Sequence, residues 1–143
     1  MAPLFHMNKP IRGACLCGAI RYSINAPITE LRECHCTSCQ KISGAGGTVN
    51  ALVATGDFRI EQGTPKRYTT VADSGRTLHR YFCGDCGSGI YSQRDVTPER
   101  VVVRAGAMEN APPAKITAHI WTRSARSWSH IDPDSKQVPG QPD

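Results

Sequence analysis

Seven cysteines stand in three groups along this chain: Cys15-Leu16-Cys17, Cys34-His35-Cys36-Thr37-Ser38-Cys39 and Cys83-Gly84-Asp85-Cys86. Clustered thiols of this kind suit zinc. The ion takes four tetrahedral ligands in a structural site, and three protein ligands plus an open position in a catalytic one. The first and third groups together supply four sulfurs, Cys15, Cys17, Cys83 and Cys86, enough to close a tetrathiolate. The CxxC followed by Gly87 reads as a zinc knuckle, whose backbone curls so that its amides face the sulfurs. The 65 residues between Cys17 and Cys83 are no obstacle, because closure entropy grows only logarithmically with loop length. The middle group keeps Cys34, Cys36 and Cys39. Seven thus divides into four and three, which predicts one sealed zinc and one zinc with a vacant position, two ions per chain.

Two features beside the triple-thiol stretch bear on its chemistry. His35 is a candidate fourth ligand; in an extended run, however, Cys34 and Cys36 share a face and His35 points the other way. That geometry favours a supporting or surface role for it. The run Ser43-Gly44-Ala45-Gly46-Gly47-Thr48 reads either as a connector or as a place where a substrate's backbone approaches the metal. Gly44, Gly46 and Gly47 are therefore the candidate substrate-binding positions. No Lys-Ser or Lys-Thr pair follows them, so this is no phosphate-binding loop.

The composition sets the setting for these groups. With 143 residues, 39% hydrophobic and 20% charged, the chain suits one globular domain. No run of about 18 apolar residues is present, which excludes a membrane-spanning helix. Met1 to Gly13 lacks the apolar core and cleavage pattern of an export signal. An odd number of clustered cysteines without such a signal argues for metal in a reducing cytoplasm rather than for disulfides. The formal charge of +5 falls to +2 once seven deprotonated thiols and two zinc ions are counted. The basic residues are scattered, without the aromatic-laced basic face of a nucleic-acid reader.

The elements that must carry the thiols are short strands. Residues 1–10 form a loose arm with Pro3 and Pro10, and Met7 is a potential internal start. Ile20, Tyr22 and Ile24 alternate as a half-buried strand does. Further strands are expected at Leu31 to Cys34, Val49 to Val53, Phe58 to Ile60, Lys66 to Val71, Ile90-Tyr91, Val101 to Val103 and Ile116 to Trp121. Asp73-Ser74-Gly75 signals a hairpin turn, with Arg76 to Phe82 as the return strand that delivers Cys83. Gln40-Lys41-Ile42 suits one helical turn, and Pro112-Pro113 separates the last two strands. The predicted class is all-β, with one domain over 11–131 and a polar C-terminal tail over 132–143.

Several stretches, in order, resemble the glutathione-dependent formaldehyde-activating enzyme family, which includes centromere protein V. They are Gly13 to Tyr22, Cys34 to Cys39 with Ser43-Gly44, Tyr81 to Gly87, and His119-Ile120-Trp121 through Trp128. The resemblance implies a β-tent fold of several small coiled sheets pinned by zinc. It further implies a structural zinc on Cys15, Cys17, Cys83 and Cys86, and a catalytic zinc on Cys34, Cys36 and Cys39. The chain departs from the family's pattern at Gly46-Gly47, where bulkier apolar residues are usual, and at Val49-Asn50, where small ones are. That departure bears on the substrate.

The implied reaction is carbon–sulfur lyase chemistry of the S-(hydroxymethyl)glutathione synthase kind. A small thiol such as glutathione adds to formaldehyde or a related carbonyl, and the reverse step cleaves the bond. A zinc with an open position binds a thiolate or polarises an aldehyde oxygen. His35, His79, Tyr91 and His119 are the candidate proton donors. Lys41, Arg80 and Arg94 lie close in sequence to the thiols and suit glutathione's carboxylates. The alternative is a zinc-stapled glutathione carrier or binding module without catalysis.

Overall fold

The computed structural model describes residues 9–71 and 75–142. Most of the expected arm at 1–10, with Met7, and two residues of the expected turn, Asp73 and Ser74, lie outside the described residues. The expected all-β class is observed. Strands β1 (Ile11–Ala14), β2 (Arg21–Ile24) and β5 (Phe58–Gln62) make an antiparallel three-stranded sheet with β2 in the middle.

The second sheet is larger. Its strands are β3 (Glu30–Cys34), β4 (Thr48–Ala54), β6 (Lys66–Val71), β7 (Thr77–Phe82), β8 (Gly89–Arg94), β9 (Arg100–Arg104), β10 (Lys115–Ile120) and β11 (Lys136–Val138), in the order β11-β10-β3-β4-β9-β8-β7-β6. The ladder between β8 and β9 has two register pairs, Tyr91 with Val103 and Ser92 with Val102. The large sheet is therefore close to two smaller ones joined at a seam. Strand β10 runs parallel to both β3 and β11, while the other pairs are antiparallel.

Period-2 patterning decides what faces the interior. In β9, Val101 and Val103 are buried while Arg100, Val102 and Arg104 are not fully so. They join Ile11, Ile20, Tyr22, Ile24, Ala51, Val53 and Ile90 in one core. Tyr22 is fully buried, and its ring lies over Gly13 of the neighbouring strand, where any Cβ would overlap it. Gly13 thus serves strand packing as well as the approach to Cys15.

Two segments differ from expectation for identifiable reasons. Within the expected polar tail, the described residues 132–142 include a strand. Lys136–Val138 adds β11 to the sheet edge, and Trp121 N–H and Arg123 N–H donate to the Gly140 and Pro139 carbonyls. Edge pairing satisfies backbone groups and needs few apolar side chains, so composition conceals it. The single α-helix among the described residues, α1 (Thr37–Ser43), begins earlier than the expected turn and takes Cys39 into its first turn. No described helix is long and apolar enough to cross a membrane.

Candidate metal centres

The four-thiol group is assembled from a tight turn after β1 and the knuckle after β7. Cys15, Cys17, Cys83 and Cys86 place their sulfurs within 4.8 Å of one another. Cys15 and Cys17 Sγ are 3.6 Å apart, and Cys17 and Cys83 Sγ 3.8 Å. Zinc–sulfur bonds of about 2.3 Å put the edge of a tetrahedron at ~3.8 Å. The residues therefore fit a tetrathiolate ion. Ile20 N–H donates to Cys15 Sγ at 3.2 Å and Asp85 N–H to Cys83 Sγ at 3.4 Å. Such donors stabilise thiolates. Hydrogen bonds from the Ser88 hydroxyl and backbone bring the Cys86 thiol down to about 5. Gly87 supplies the left-handed residue, φ 80°, on which the knuckle turns, and its N–H bonds the Cys83 carbonyl.

The three-thiol group forms where β3 gives way to α1. Cys34 is the last residue of β3, and Cys36 is the extended residue that caps α1. The Cys36 sulfur accepts the Cys39 N–H at 3.3 Å, doing the work of the usual serine or aspartate cap. Hydrogen bonds with the Cys34 and Cys39 thiols push Cys36 far below the ordinary thiol range, while Cys34 is raised by its bonds to Cys36 and Cys39. A divalent cation bound here would take all three as thiolates and displace their protons. Cys34 and Cys39 are buried and Cys36 half-exposed, so the set is approachable from the Cys36 side.

His35 is not part of this group. It is fully buried, ruling out the surface role, and its Nε2 lies 2.9 Å from His119 Nδ1. Its other ring nitrogen has no hydrogen-bond partner among the described residues. Glu33 Oε1 stands 3.6 Å from His35 Nε2 and 3.4 Å from His119 Nδ1. The other candidate proton donors are engaged elsewhere. His79 bonds Thr69 and Asp95, and Tyr91 stacks on Tyr81 with its hydroxyl pushed up to about 12 by burial.

The candidate glycines have internal duties. Gly44 is the left-handed C-cap of α1, φ 69°, and its N–H bonds the Gln40 carbonyl at 2.8 Å. At Gly47 a Cβ would overlap the Cys34 carbonyl, and at Gly46 it would come within 2.5 Å of Ser129 Oγ. These positions hold the chain close to itself, and Gly46 also lines a cavity with Glu33 and His119.

Residues without a spacing signature complete the surroundings. Thr48 Oγ1 donates to Cys39 Sγ at 3.2 Å, and Asn50 Nδ2 to Thr48 Oγ1 at 3.0 Å. Register pairs Asn50 with Arg104, whose guanidinium donates to Asn50 Oδ1 at 2.6 Å. Arg104 is largely buried, which lowers its pKa, while the three thiols act to raise it. A cleft of about 540 Å³ runs beside Thr48, Ser43, Arg104 and Cys15. Gln40, buried in α1, donates to the His35 and Ser124 carbonyls and accepts from Arg126 Nε. It ties the thiol loop to the segment after β10. Lys41 is exposed, and Arg80 is buried with a bond to Thr70. Sequence proximity marked Arg80 for the site; only strand pairing marks Arg104.

Comparison with known proteins places this geometry. Residues 10–124 match the family described as glutathione-dependent formaldehyde-activating enzyme. A Halomonas elongata protein named "Putative glutathione-dependent formaldehyde-activating enzyme" is 27% identical over 129 residues, covering 85% of this chain and 81% of that one. A crystal structure of a Rhodobacter sphaeroides protein superposes with a TM-score of 0.58 at 23% identity, over 74% of this chain and 99% of the other; it supports the fold alone. The match spans β1 through β10 and both cysteine constellations, and this chain therefore belongs to the glutathione-dependent formaldehyde-activating enzyme family.

Proposed function

We propose that the protein is a zinc-dependent carbon–sulfur lyase of the S-(hydroxymethyl)glutathione synthase kind, acting on a small thiol such as glutathione and on formaldehyde or a related carbonyl. In this reading Cys15, Cys17, Cys83 and Cys86 hold a structural zinc, and Cys34, Cys36 and Cys39 a catalytic one. The observation that carries it is the contrast in ligand number between the two groups: four converging thiols in one, three in the other. A zinc on the three thiols would supply a position at which a small thiol exchanges as its thiolate.

The chain's own residues then position the reactants. Thr48 orients Cys39 through its hydroxyl, and Asn50 holds Thr48 in turn. Arg104, braced by Asn50, presents a desolvated guanidinium to a glutathione carboxylate, where a charge-assisted bond is stronger than in water. Bond making joins the thiolate sulfur to the carbonyl carbon, while the carbonyl electron pair moves to oxygen and takes a proton from water in the cleft. Cleavage is the reverse.

Exchange NMR at equilibrium tests this, because the addition also proceeds unaided. The protein should raise the rate of interconversion between formaldehyde plus glutathione and their adduct, and Cys36→Ala should return it to the unaided value. Glutathione that binds without any acceleration would overturn the enzyme reading in favour of a carrier.

A further inference from the structure

We propose that Glu33, His35 and His119 form a third metal site, taking a divalent transition-metal ion through two imidazole nitrogens and one carboxylate. The three ligand atoms make a compact triangle, with His35 Nε2 to His119 Nδ1 2.9 Å, His119 Nδ1 to Glu33 Oε1 3.4 Å and His35 Nε2 to Glu33 Oε1 3.6 Å. Metal–ligand bonds of about 2.1 Å separate neighbouring ligand atoms by ~3.0 Å in octahedral and ~3.4 Å in tetrahedral geometry. The observed edges span those values.

Hydrogen bonding within the trio accounts for only one edge. A single proton between the histidines satisfies the 2.9 Å contact. The carboxylate oxygen is then left 3.4–3.6 Å from two nitrogens, beyond the ~2.7–2.9 Å of a charge-assisted bond. One cation at the centre would engage all three atoms. Two histidines and one carboxylate on a single face, with further positions open, suit a borderline divalent metal.

The topology builds this site separately from the thiols. Alternation turns Glu33 and His35 away from Cys34. The parallel register of β10 on β3 sets His119 beside Glu33 and Ile120 beside Cys34. Both histidines are buried and Glu33 is partly so. On this face lies a cavity of about 630 Å³, which Glu33 and His119 line together with Lys115, Ser129, His130 and Asp132. The open positions of the ion would face it, where Lys115 and His130 favour an anionic oxygen ligand.

The test uses the full chain with its thiol groups loaded with zinc, titrated with cobalt(II) alone. The expected result is one further saturable equivalent, with weak ligand-field absorption and no sulfur-to-cobalt charge-transfer band. The His35 and His119 ring signals should broaden in the parent protein, a readout that needs no variant. Glu33→Gln and His119→Gln, checked for zinc content and far-UV spectrum, should each remove that step, while His79→Gln at the surface pair keeps it. The absence of a further equivalent in the parent would overturn the inference. So would retention of the step in both folded variants, unaffected His35 and His119 signals, or a charge-transfer band that puts the cobalt among the thiols. None of these outcomes depends on glutathione, so the carbon–sulfur chemistry stands or falls separately.

Discussion

Cys36 carries two tasks in one side chain: its sulfur belongs to the three-thiol group and also caps α1. Cys36→Ala should therefore lose one zinc and all catalysed exchange. Loss of a cap costs about 1 kcal/mol, which leaves the fold intact because the four-thiol group is untouched. Metal analysis giving about one zinc fewer in the variant than in the parent checks this, and a variant as unfolded as a four-thiol mutant would contradict it. Gly47 makes the opposite case. A valine there must displace the Cys34 carbonyl, so Gly47→Val should destabilise by about 3 kcal/mol and impair the three-thiol metal as well. Unchanged melting temperature with weakened thiol binding alone would restore the ligand-facing role that its place in the sequence first suggested.

At the level of elements, strand pairing decides which residues attend the thiols. The β4–β9 register brings Arg104 to Asn50, and through Asn50 to Thr48 and Cys39. Arg104→Met should raise the KM for glutathione about tenfold, the value of one charge-assisted bond, with little change in formaldehyde dependence or zinc content. An equal effect on both substrates would place the carboxylate elsewhere. The β10–β11 pairing makes the C-terminal segment part of the sheet. Removal of residues 132–143 strips β11 from the edge of β10 and uncovers Ile120 beside the thiols. A loss of about 2 kcal/mol follows from the apolar area exposed, visible as a drop of roughly 5 °C in melting temperature. An unchanged melting curve would show that this segment is a dispensable tail.

For the molecule as a whole, the four-thiol group joins the turn after β1, next to the small sheet, to the knuckle after β7 in the large one. A structural zinc contributes on the order of 10 kcal/mol of apparent folding free energy at neutral pH, comparable with the entire stability of a domain. Cys83→Ser should unfold most of the protein, and a strong chelator should do the same to the parent. A soluble Cys83→Ser variant with the parent's melting temperature and zinc content would remove the structural assignment. Much of this was legible in the chain: the cysteine spacings partition the thiols, and alternating residues such as Ile20, Tyr22 and Ile24 mark the strands. Ligand type and period-2 burial are local properties, written into neighbouring residues. What only the tertiary structure decided is which distant residues meet. His119 reaches Glu33 and His35 across more than eighty residues because β10 lies parallel to β3, and Arg104 meets Asn50 because β9 lies against β4. Register and strand order arise from packing the whole core at once, and no single segment encodes them.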